Sequence, residues 1–241
     1  MNGIPDLPET LQLIGDPTRI ELLTILIDHR YYTVTELSKR TKVSLSTVSY
    51  HLKKLSIIGW IDTYKQGRNV YYGLTNDSLA AIIESLMTIS APKKINSYNQ
   101  KKEYLEIKEA RTCYSHLAGE LGVGLFEFLI ENQYIENNNH EVSISKEGVT
   151  FFKGMGIKAP ESLNGKLCMD WSERKFHLAG SLGSALCSAF LRQGWIVKST
   201  KNRSITLSAS SPEWLKSIDR NLKLIKNHDK RSGTQMKKIG E

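Results

Sequence analysis

The segment from Thr33 to Thr75 constrains the fold of this chain more than any other. It holds two helix-forming stretches separated by the tight turn Lys42-Val43-Ser44, followed by a stretch that turns back on itself at residues 66–69. Serine is a favoured N-cap residue, so Ser44 is expected to start the second helix, which would run from Leu45 to Ile58. The apolar stripe of that helix is predicted to contain Leu45, Val48, Leu52, Leu55 and Ile58. Two helices, a turn and a hairpin in this order predict a winged helix-turn-helix.

The opposite face of the second helix is polar and carries no acid, because residues 41–61 contain neither Asp nor Glu. Small hydroxyl side chains near a helix N-terminus suit close approach to bases, and lysines one turn later suit phosphates. We therefore expect contacts to bases or adjacent phosphates from Ser44, Ser46, Thr47, Ser49 and Tyr50. Phosphate contacts are expected from Lys53, Lys54, Lys65 and Arg68, the last two at the tip of the hairpin.

The charge of the chain is concentrated on this segment. The whole chain has a net charge of +8. Residues 34–75 contain seven Lys or Arg against two Asp or Glu, whereas residues 1–33 contain two against five. A local basic patch suits binding to a polyanion such as double-stranded DNA better than a diffuse excess would. A merely solvated basic face is the alternative that charge alone leaves open.

Helices are predicted on both sides of this segment. Asp16 followed by Pro17 is typical of an N-cap and first turn. After the hairpin, Asn76 or Asp77 is expected to cap a helix over residues 78–90. Its apolar face comprises Leu79, Ile82, Ile83, Leu86 and Met87. A contact between two copies of this helix in a dimer is favoured over packing within one chain.

Four runs in this region resemble the ArsR/SmtB family of bacterial repressors: residues 15–23, 46–55 and 59–61, and Gly67-Arg68. The resemblance covers roughly residues 5–90. It implies a homodimer in which the first and last helices of the domain pair. Two recognition helices would then enter successive major grooves of a pseudo-palindromic operator. It also implies that an effector weakens DNA binding and relieves repression.

Two metal sites of that family are absent from the segments where they would occur. Its metal sensors often carry a Cys-containing motif in the first helix of the helix-turn-helix, or Asp and His ligands on the last helix. Residues 34–41 and 76–90 contain neither Cys nor His. Any switch acting on the DNA-binding segment is therefore expected elsewhere in the chain, and the effector, small-molecule or redox, stays unidentified.

The second half of the chain contains an internal repeat. His116-Leu117-Ala118-Gly119 recurs as His177-Leu178-Ala179-Gly180, at an offset of 61 residues. Each copy predicts a helix, then a strand, then a return strand. We expect a mainly α, α+β protein with a winged helix-turn-helix over residues 1–91 and a linker over 92–102. Two winged-helix-like, helix-hairpin repeats would follow over 103–226, and a disordered basic tail over 227–241.

Cysteines lie just before both copies of the repeat. Cys113-x-x-His116 would place two side chains on one helical face, and Cys168 lies nine residues before His177. Three interpretations stay open: buried packing residues, a redox-sensitive thiol pair, or a metal site built from Cys113, His116, Cys168 and His177. Packing is favoured and metal binding is the least favoured, so no cofactor is predicted. Some ArsR-like regulators carry an appended domain with segments similar to residues 111–119 and 168–174.

The remaining features exclude several classes of protein. No apolar run approaches the ~20 residues of a membrane span, and three cysteines do not make a secreted disulfide framework, which favours the cytoplasm. No complete catalytic signature surrounds Asp170, Glu173 and His177, so an enzyme is not expected. The sequence thus predicts a homodimeric, sequence-specific DNA-binding repressor. The alternatives are a winged-helix protein-interaction module, or a DNA-binding protein that needs no effector.

Overall fold

The computed structural model describes residues 4, 6–75, 77–138 and 141–219. The chain divides into two compact units, Met1–Met87 and Thr88–Glu241, called here the N-terminal unit and the C-terminal unit. The predicted tail, 227–241, lies outside the described residues. Among the helices that are described, none has both the length and the apolar character needed to cross a lipid bilayer.

Capping chemistry determines where the helices of the N-terminal unit begin. Asp16 accepts hydrogen bonds from two backbone N–H groups of the second helix, each at 3.0 Å, and Ser44 accepts one from Thr47 at 3.2 Å. The caps predicted at Asp16 and Ser44 are confirmed, whereas Asn76 lies outside the described residues. The helices are α1 (Leu7–Ile14), α2 (Pro17–Leu26), α3 (Val34–Thr41), α4 (Leu45–Ile57) and α5 (Asp77–Ile89), the last of which continues two residues past the unit boundary.

The predicted hairpin is present and belongs to a small antiparallel sheet. Strands β1 (Tyr32–Thr33), β2 (Ile61–Gln66) and β3 (Asn69–Leu74) lie in the order β1-β3-β2. The β2–β3 turn contains Gly67 with a φ of +59°, a conformation that glycine adopts without strain. Strand β1 was not predicted, because a two-residue strand has too few residues to show an alternating pattern.

The core of this unit lies where α2, α3 and α4 pack together. Val48, Leu52 and Leu55 are completely buried, as the apolar stripe of α4 predicts. The prediction is wrong for Leu45, which is 52% exposed, and for Ile58, which is 37% exposed. Both residues lie at the ends of the helix, beyond the part that packs on α2 and α3.

The C-terminal unit alternates helices and short strands. Helix α6 begins at Tyr98, inside the segment predicted to be a linker. After α6, residues 160–162 form a 3-10 turn and residues 213–219 are helical. The elements are α6 (Tyr98–Glu109), β4 (Arg111–Cys113), β5 (His116–Ala118), α7 (Gly119–Glu131), β6 (Ile135–Asn138), β7 (Glu141–Ile144), α8 (Lys146–Gly154), β8 (Gly165–Met169), β9 (Phe176–Ala179), α9 (Gly180–Arg192), β10 (Ile196–Lys198) and β11 (Ile205–Leu207).

Two equivalent hairpins precede two equivalent helices in this unit. Hairpin β4–β5 leads directly into α7, and hairpin β8–β9 leads directly into α9. Gly119 and Gly180 open the helices with φ values of +76° and +74°. A Cβ atom at either position would lie 2.5 Å from a backbone carbonyl oxygen, so both turns require glycine.

The prediction that both His-Leu-Ala-Gly segments lie in helices is wrong for the first three residues of each. Residues 116–118 form β5 and residues 177–179 belong to β9. Periodicity cannot separate strand from helix in so short an apolar run, and strand pairing within the hairpin decides the outcome. After the first hairpin the chain continues as α7, β6 and β7, and after the second as α9, β10 and β11.

The strands that follow each helix pair with the hairpin that precedes the other helix. β7 pairs with β8 at Val142 and Gly165, giving the antiparallel order β6-β7-β8-β9. In the same way Arg111 of β4 forms a bridge with Ser204, next to β11. This exchange joins the two halves of the C-terminal unit into one core, and it brings the two His-Leu-Ala strands together.

Candidate nucleic-acid interface and Cys/His cluster

The hydroxyl side chains predicted to contact DNA lie together at the start of α4. Ser44 Oγ is 3.0 Å from Ser46 Oγ and 2.8 Å from Thr47 Oγ1, and all three residues are exposed. The positive end of the helix dipole and the unpaired N–H groups of the first turn favour anions at this position. This end of α4 therefore has the chemistry to accept a phosphate or the edge of a base.

The next turn of α4 carries the predicted basic and aromatic groups. Ser49, Tyr50, Lys53 and Lys54 are all exposed, and Tyr50 retains 55% of its accessible surface. Lys54 Nζ lies 4.7 Å from the centroid of the Tyr50 ring, a cation–π contact that holds the two side chains together. His51, by contrast, is buried, with Nδ1 3.8 Å from the Asp16 carboxylate, in keeping with a packing role.

The two remaining predicted phosphate contacts lie on the β2–β3 hairpin. Lys65 is on β2, Arg68 is in the turn, and both are exposed. All nine residues predicted to contact DNA are thus exposed on α4, its N-cap or this hairpin. Their exposure leaves these side chains accessible to a bound molecule, and their contact with DNA stays a prediction.

The cysteines and histidines singled out in the second half meet inside the C-terminal unit. Cys113 on β4 is directly opposite His116 on β5, and Cys168 on β8 is directly opposite His177 on β9. The expectation that Cys113 and His116 share a helical face is wrong, because they face each other across a hairpin. We call these four residues the Cys/His cluster.

The four side chains of the Cys/His cluster point at a common centre. Cys113 Sγ lies 4.0 Å from Cys168 Sγ, and His116 Nε2 lies 3.1 Å from His177 Nε2. All four potential ligand atoms lie within 4.8 Å of one another. Three of the residues are buried and Cys168 is partly buried, and none of Cys113, Cys168 and Cys187 is joined in a disulfide. Four such atoms in one place have the chemistry to hold a metal ion.

A buried carboxylate supports the Cys/His cluster from behind, and sequence reasoning assigned it no role there. Asp170 Oδ2 lies 3.2 Å from His177 Nδ1, although the ring N–H is not aligned well enough for a normal hydrogen bond. The same oxygen accepts the Gly119 backbone N–H at 2.7 Å, and Oδ1 pairs with Arg111 at 2.8 Å. One signal in the sequence could have pointed to this supporting pair: Arg111 lies two residues before Cys113, and Asp170 lies two residues after Cys168.

These contacts shift the pKa values of the groups involved. Burial alone would raise the pKa of Asp170, but His177, Arg111 and the Gly119 N–H lower it well below the ordinary value. The pKa of the Cys168 thiol is lowered, and the largest cause is the hydrogen bond with Cys113. Burial opposes this shift by raising the pKa, whereas His116 and His177 lower it further. A lowered thiol pKa favours the thiolate, which is the form that binds metals.

Cys187 lies apart from the Cys/His cluster. It is buried on α9 with 3% of its surface exposed, and burial raises its pKa to about 11. It is a buried apolar side chain whose thiol stays protonated at neutral pH.

Comparison with known proteins identifies the family. Residues 16–60 match the family model described as bacterial regulatory protein, arsR family. The HTH-type transcriptional regulator YdfF of Bacillus subtilis is 35% identical over 211 residues, covering 86% of this chain and 93% of YdfF. The chain belongs to the ArsR family. It is a DNA-binding transcription regulator with a winged helix-turn-helix.

Other relatives of this ArsR-family protein match only about a third of it. The transcriptional repressor PagR of Bacillus anthracis is 31% identical over 88 residues, covering 36% of this chain and 87% of PagR. The solved structure of reduced HlyU from Vibrio cholerae is 31% identical in sequence and has a TM-score of 0.32. The match covers 34% of this chain and 86% of the HlyU chain. These relatives are named as transcription regulators. The Cys/His cluster lies outside the segment that matches the family model.

Proposed function

We propose that this chain is a homodimeric repressor that binds a pseudo-palindromic operator in the cytoplasm and is released by an effector acting through the C-terminal unit. The observation that carries the proposal is the exposed face of α4, which lacks acidic residues and presents hydroxyls at its start and lysines one turn later. A repressor, PagR, is also among the relatives of this chain.

Each of the nine residues predicted to contact DNA then has a specific role at the operator. Ser44, Ser46 and Thr47 at the start of α4, with Ser49 and Tyr50 beside them, contact base edges or the adjacent phosphates. Lys53 and Lys54 bind phosphates along the same groove, and Lys65 and Arg68 bind phosphates from the hairpin. In a dimer, two copies of α4 reach half-sites about 34–36 Å apart, one turn of the duplex.

Exposed apolar side chains on α1 and α5 support the homodimer. Leu7 and Leu11 of α1 are 61% and 57% exposed, and Ile82 and Leu86 of α5 are 48% and 37% exposed. Leu79 and Ile83, on another side of α5, are buried in the N-terminal unit. Helix α5 thus packs within the chain through one face and leaves a second apolar face for a partner copy.

Charge substitutions on the second face of α5 are expected to convert the dimer to a monomer. The double variant Ile82→Asp plus Leu86→Asp places two carboxylates in the proposed interface, where burial of an unpaired charge is costly. Sedimentation or light scattering should show the mass of one chain, and operator binding should be lost. Ile57→Glu, at an exposed apolar residue of α4 (75%), is the matched control and should remain dimeric. Dimers that persist in the double variant would contradict the proposed interface.

The C-terminal unit is proposed to be a duplicated sensor module of two helix-hairpin, winged-helix-like repeats. A linker that ends before α6 begins at Tyr98 would join it to the DNA-binding and dimerisation domain 1–91. Two equivalent hairpins that enter two equivalent helices support the duplication. The match to YdfF spans both units, which supports one regulator with both parts.

Binding to the upstream region of its own gene tests the proposed function. The full-length protein should bind that duplex at about 0.15 M salt at least roughly 1,000-fold more tightly than a scrambled duplex of equal length. Fluorescence anisotropy over a salt series measures both affinities. Equal affinity for the two duplexes would reject sequence-specific repression, and no binding to either would favour a protein-interaction module.

A further inference from the structure

We propose that Cys113, His116, Cys168 and His177 bind one divalent transition-metal ion of the zinc class in a tetrahedral site. The inference concerns the C-terminal unit alone and does not depend on the proposed function. The sequence favoured packing for these residues, and the geometry now favours metal binding.

The sulfur–sulfur and nitrogen–nitrogen distances in the Cys/His cluster are close to those of a tetrahedral zinc site. Zinc binds thiolate sulfur at about 2.3 Å and imidazole nitrogen at about 2.0–2.1 Å, so tetrahedral edges measure about 3.8 Å between two sulfurs and about 3.3 Å between two nitrogens. The observed Sγ–Sγ and Nε2–Nε2 distances are 4.0 and 3.1 Å. Along these two edges an ion at the common centre needs shifts of only about 0.2 Å, and all four ligand atoms lie within 4.8 Å of one another.

The donor set selects the class of metal. Two thiols and two imidazoles are ligands of zinc and its neighbours in the transition series, whereas Mg²⁺ and Ca²⁺ prefer oxygen. Four protein ligands fill a tetrahedral shell and leave no open position for water or substrate. The site is therefore closed, as in metal sites that stabilise a fold, and differs from catalytic zinc sites.

Asp170 prepares His177 for this role. Its carboxylate lies 3.2 Å from Nδ1, which favours the proton on that nitrogen and leaves the Nε2 lone pair facing the centre of the cluster. A carboxylate behind a histidine is the usual supporting arrangement at protein metal sites. Arg111 and the Gly119 N–H hold Asp170 in turn, so the orientation of His177 is determined before an ion binds.

A disulfide accounts for less of this arrangement than a metal ion does. Sulfurs 4.0 Å apart would have to move to about 2.05 Å to bond. A disulfide would also leave unexplained why two histidines, one from each hairpin, turn their Nε2 atoms toward each other beside the thiols.

The Cys/His cluster also lies where an ion would join the two halves of the unit. Each hairpin supplies one cysteine and one histidine. A Cβ at Gly122 would lie 3.7 Å from His177 Cβ, and one at Gly183 would lie 3.2 Å from His116 Cβ, so each histidine packs on the helix of the other half. A bound ion would cross-link the two hairpins at this junction.

Metal content of the purified full-length protein tests the proposal. Protein prepared with reductant should contain about one zinc ion per chain, and cobalt substitution should give the absorption of a tetrahedral site with thiolate ligands. Loss of a residue that only orients a metal ligand typically lowers metal affinity by roughly 10–100-fold. Cys113→Ser and His177→Ala each remove a ligand itself, so each should lower zinc affinity by more than this. Cys187→Ser, at the buried cysteine outside the cluster, is the matched control and should keep the ion.

If these variants fold poorly, a variant that replaces one metal-binding side chain with another still tests the proposal. His116→Cys should still bind one ion, with stronger thiolate-to-cobalt charge transfer per bound cobalt because a third sulfur has joined the site. Three results would overturn the proposal: folded wild-type protein that takes up no zinc, zinc that is retained equally by Cys113→Ser, or a Cys113–Cys168 disulfide in the freshly isolated protein.

Discussion

Replacing Asp170 with alanine is expected to lower the free energy of unfolding of the C-terminal unit by about 3–5 kcal/mol. The Asp170 carboxylate and the Arg111 guanidinium are both completely buried, 2.8 Å apart. Arg111 also lies over the Trp171 ring, 4.5 Å from its centroid. Alanine would leave this buried cation without its counter-charge and the Gly119 N–H without its acceptor, which is more costly than loss of an exposed ion pair.

Thermal unfolding measures the effect of Asp170→Ala. A unit of this size loses about 2–4 °C per kcal/mol, so the Tm of the C-terminal unit should fall by roughly 6–20 °C. Glu161→Ala is the matched control, because it removes an exposed carboxylate paired with Lys153 at 3.5 Å, and its Tm should stay at the wild-type value. Equal shifts for the two variants would contradict the central role of the buried pair.

Replacing both partners of the buried pair distinguishes an unpaired charge from lost packing. Arg111→Met plus Asp170→Leu removes both charges and keeps similar volume, so this double variant should recover a large part of the lost stability. Recovery would show that the stranded guanidinium causes most of the damage in Asp170→Ala. No recovery would assign the loss to the hydrogen bonds of the carboxylate.

Reversing two charges at the candidate nucleic-acid interface is expected to weaken operator binding by roughly 100-fold or more at about 0.15 M salt. Lys53 on α4 and Arg68 in the hairpin turn are exposed and assigned to phosphates. Lys53→Glu plus Arg68→Glu removes two such contacts and places two carboxylates near the DNA backbone. Because each phosphate contact releases counterions, the slope of log affinity against log salt should fall by about 2.

A matched pair of substitutions controls for net charge. Lys146→Glu plus Lys158→Glu makes the same change in charge at exposed lysines of the C-terminal unit. Fluorescence anisotropy on the upstream duplex should show a much smaller loss for this pair and a nearly unchanged salt slope. Operator binding that survives Lys53→Glu plus Arg68→Glu would instead favour a protein-interaction role for the winged helix.

The helix-turn-helix was predictable because local chemistry determines it. Asp16 and Ser44 cap their helices in the structure as the sequence indicates, since an N-cap depends on residues within one turn. The hairpin likewise turns at Gly67, where a positive φ is needed. The exposure of Leu45, the first residue of α4, was not predictable from the period of the helix, because burial depends on which neighbouring elements cover that turn.

The Cys/His cluster was only partly predictable. The four residues could be chosen from the sequence, but Cys113 and Cys168 are separated by 55 residues while the histidines are separated by 61. The repeat offset therefore fails for the cysteines, because the loop of the second hairpin is longer. Strand pairing restores the equivalence by placing each cysteine opposite its histidine.

The DNA-binding segment, its helix caps and the family could be predicted from the sequence, because they depend on residues close together in the chain. Strand pairing in the folded protein was needed to show that the two hairpins exchange partners and bring four distant side chains to one centre. The folded protein also places Asp170 behind His177 with Arg111 as its counter-charge. The Arg111–Asp170 pair and the contact between the two histidines arise from register and packing between segments more than 50 residues apart, and no local pattern records them.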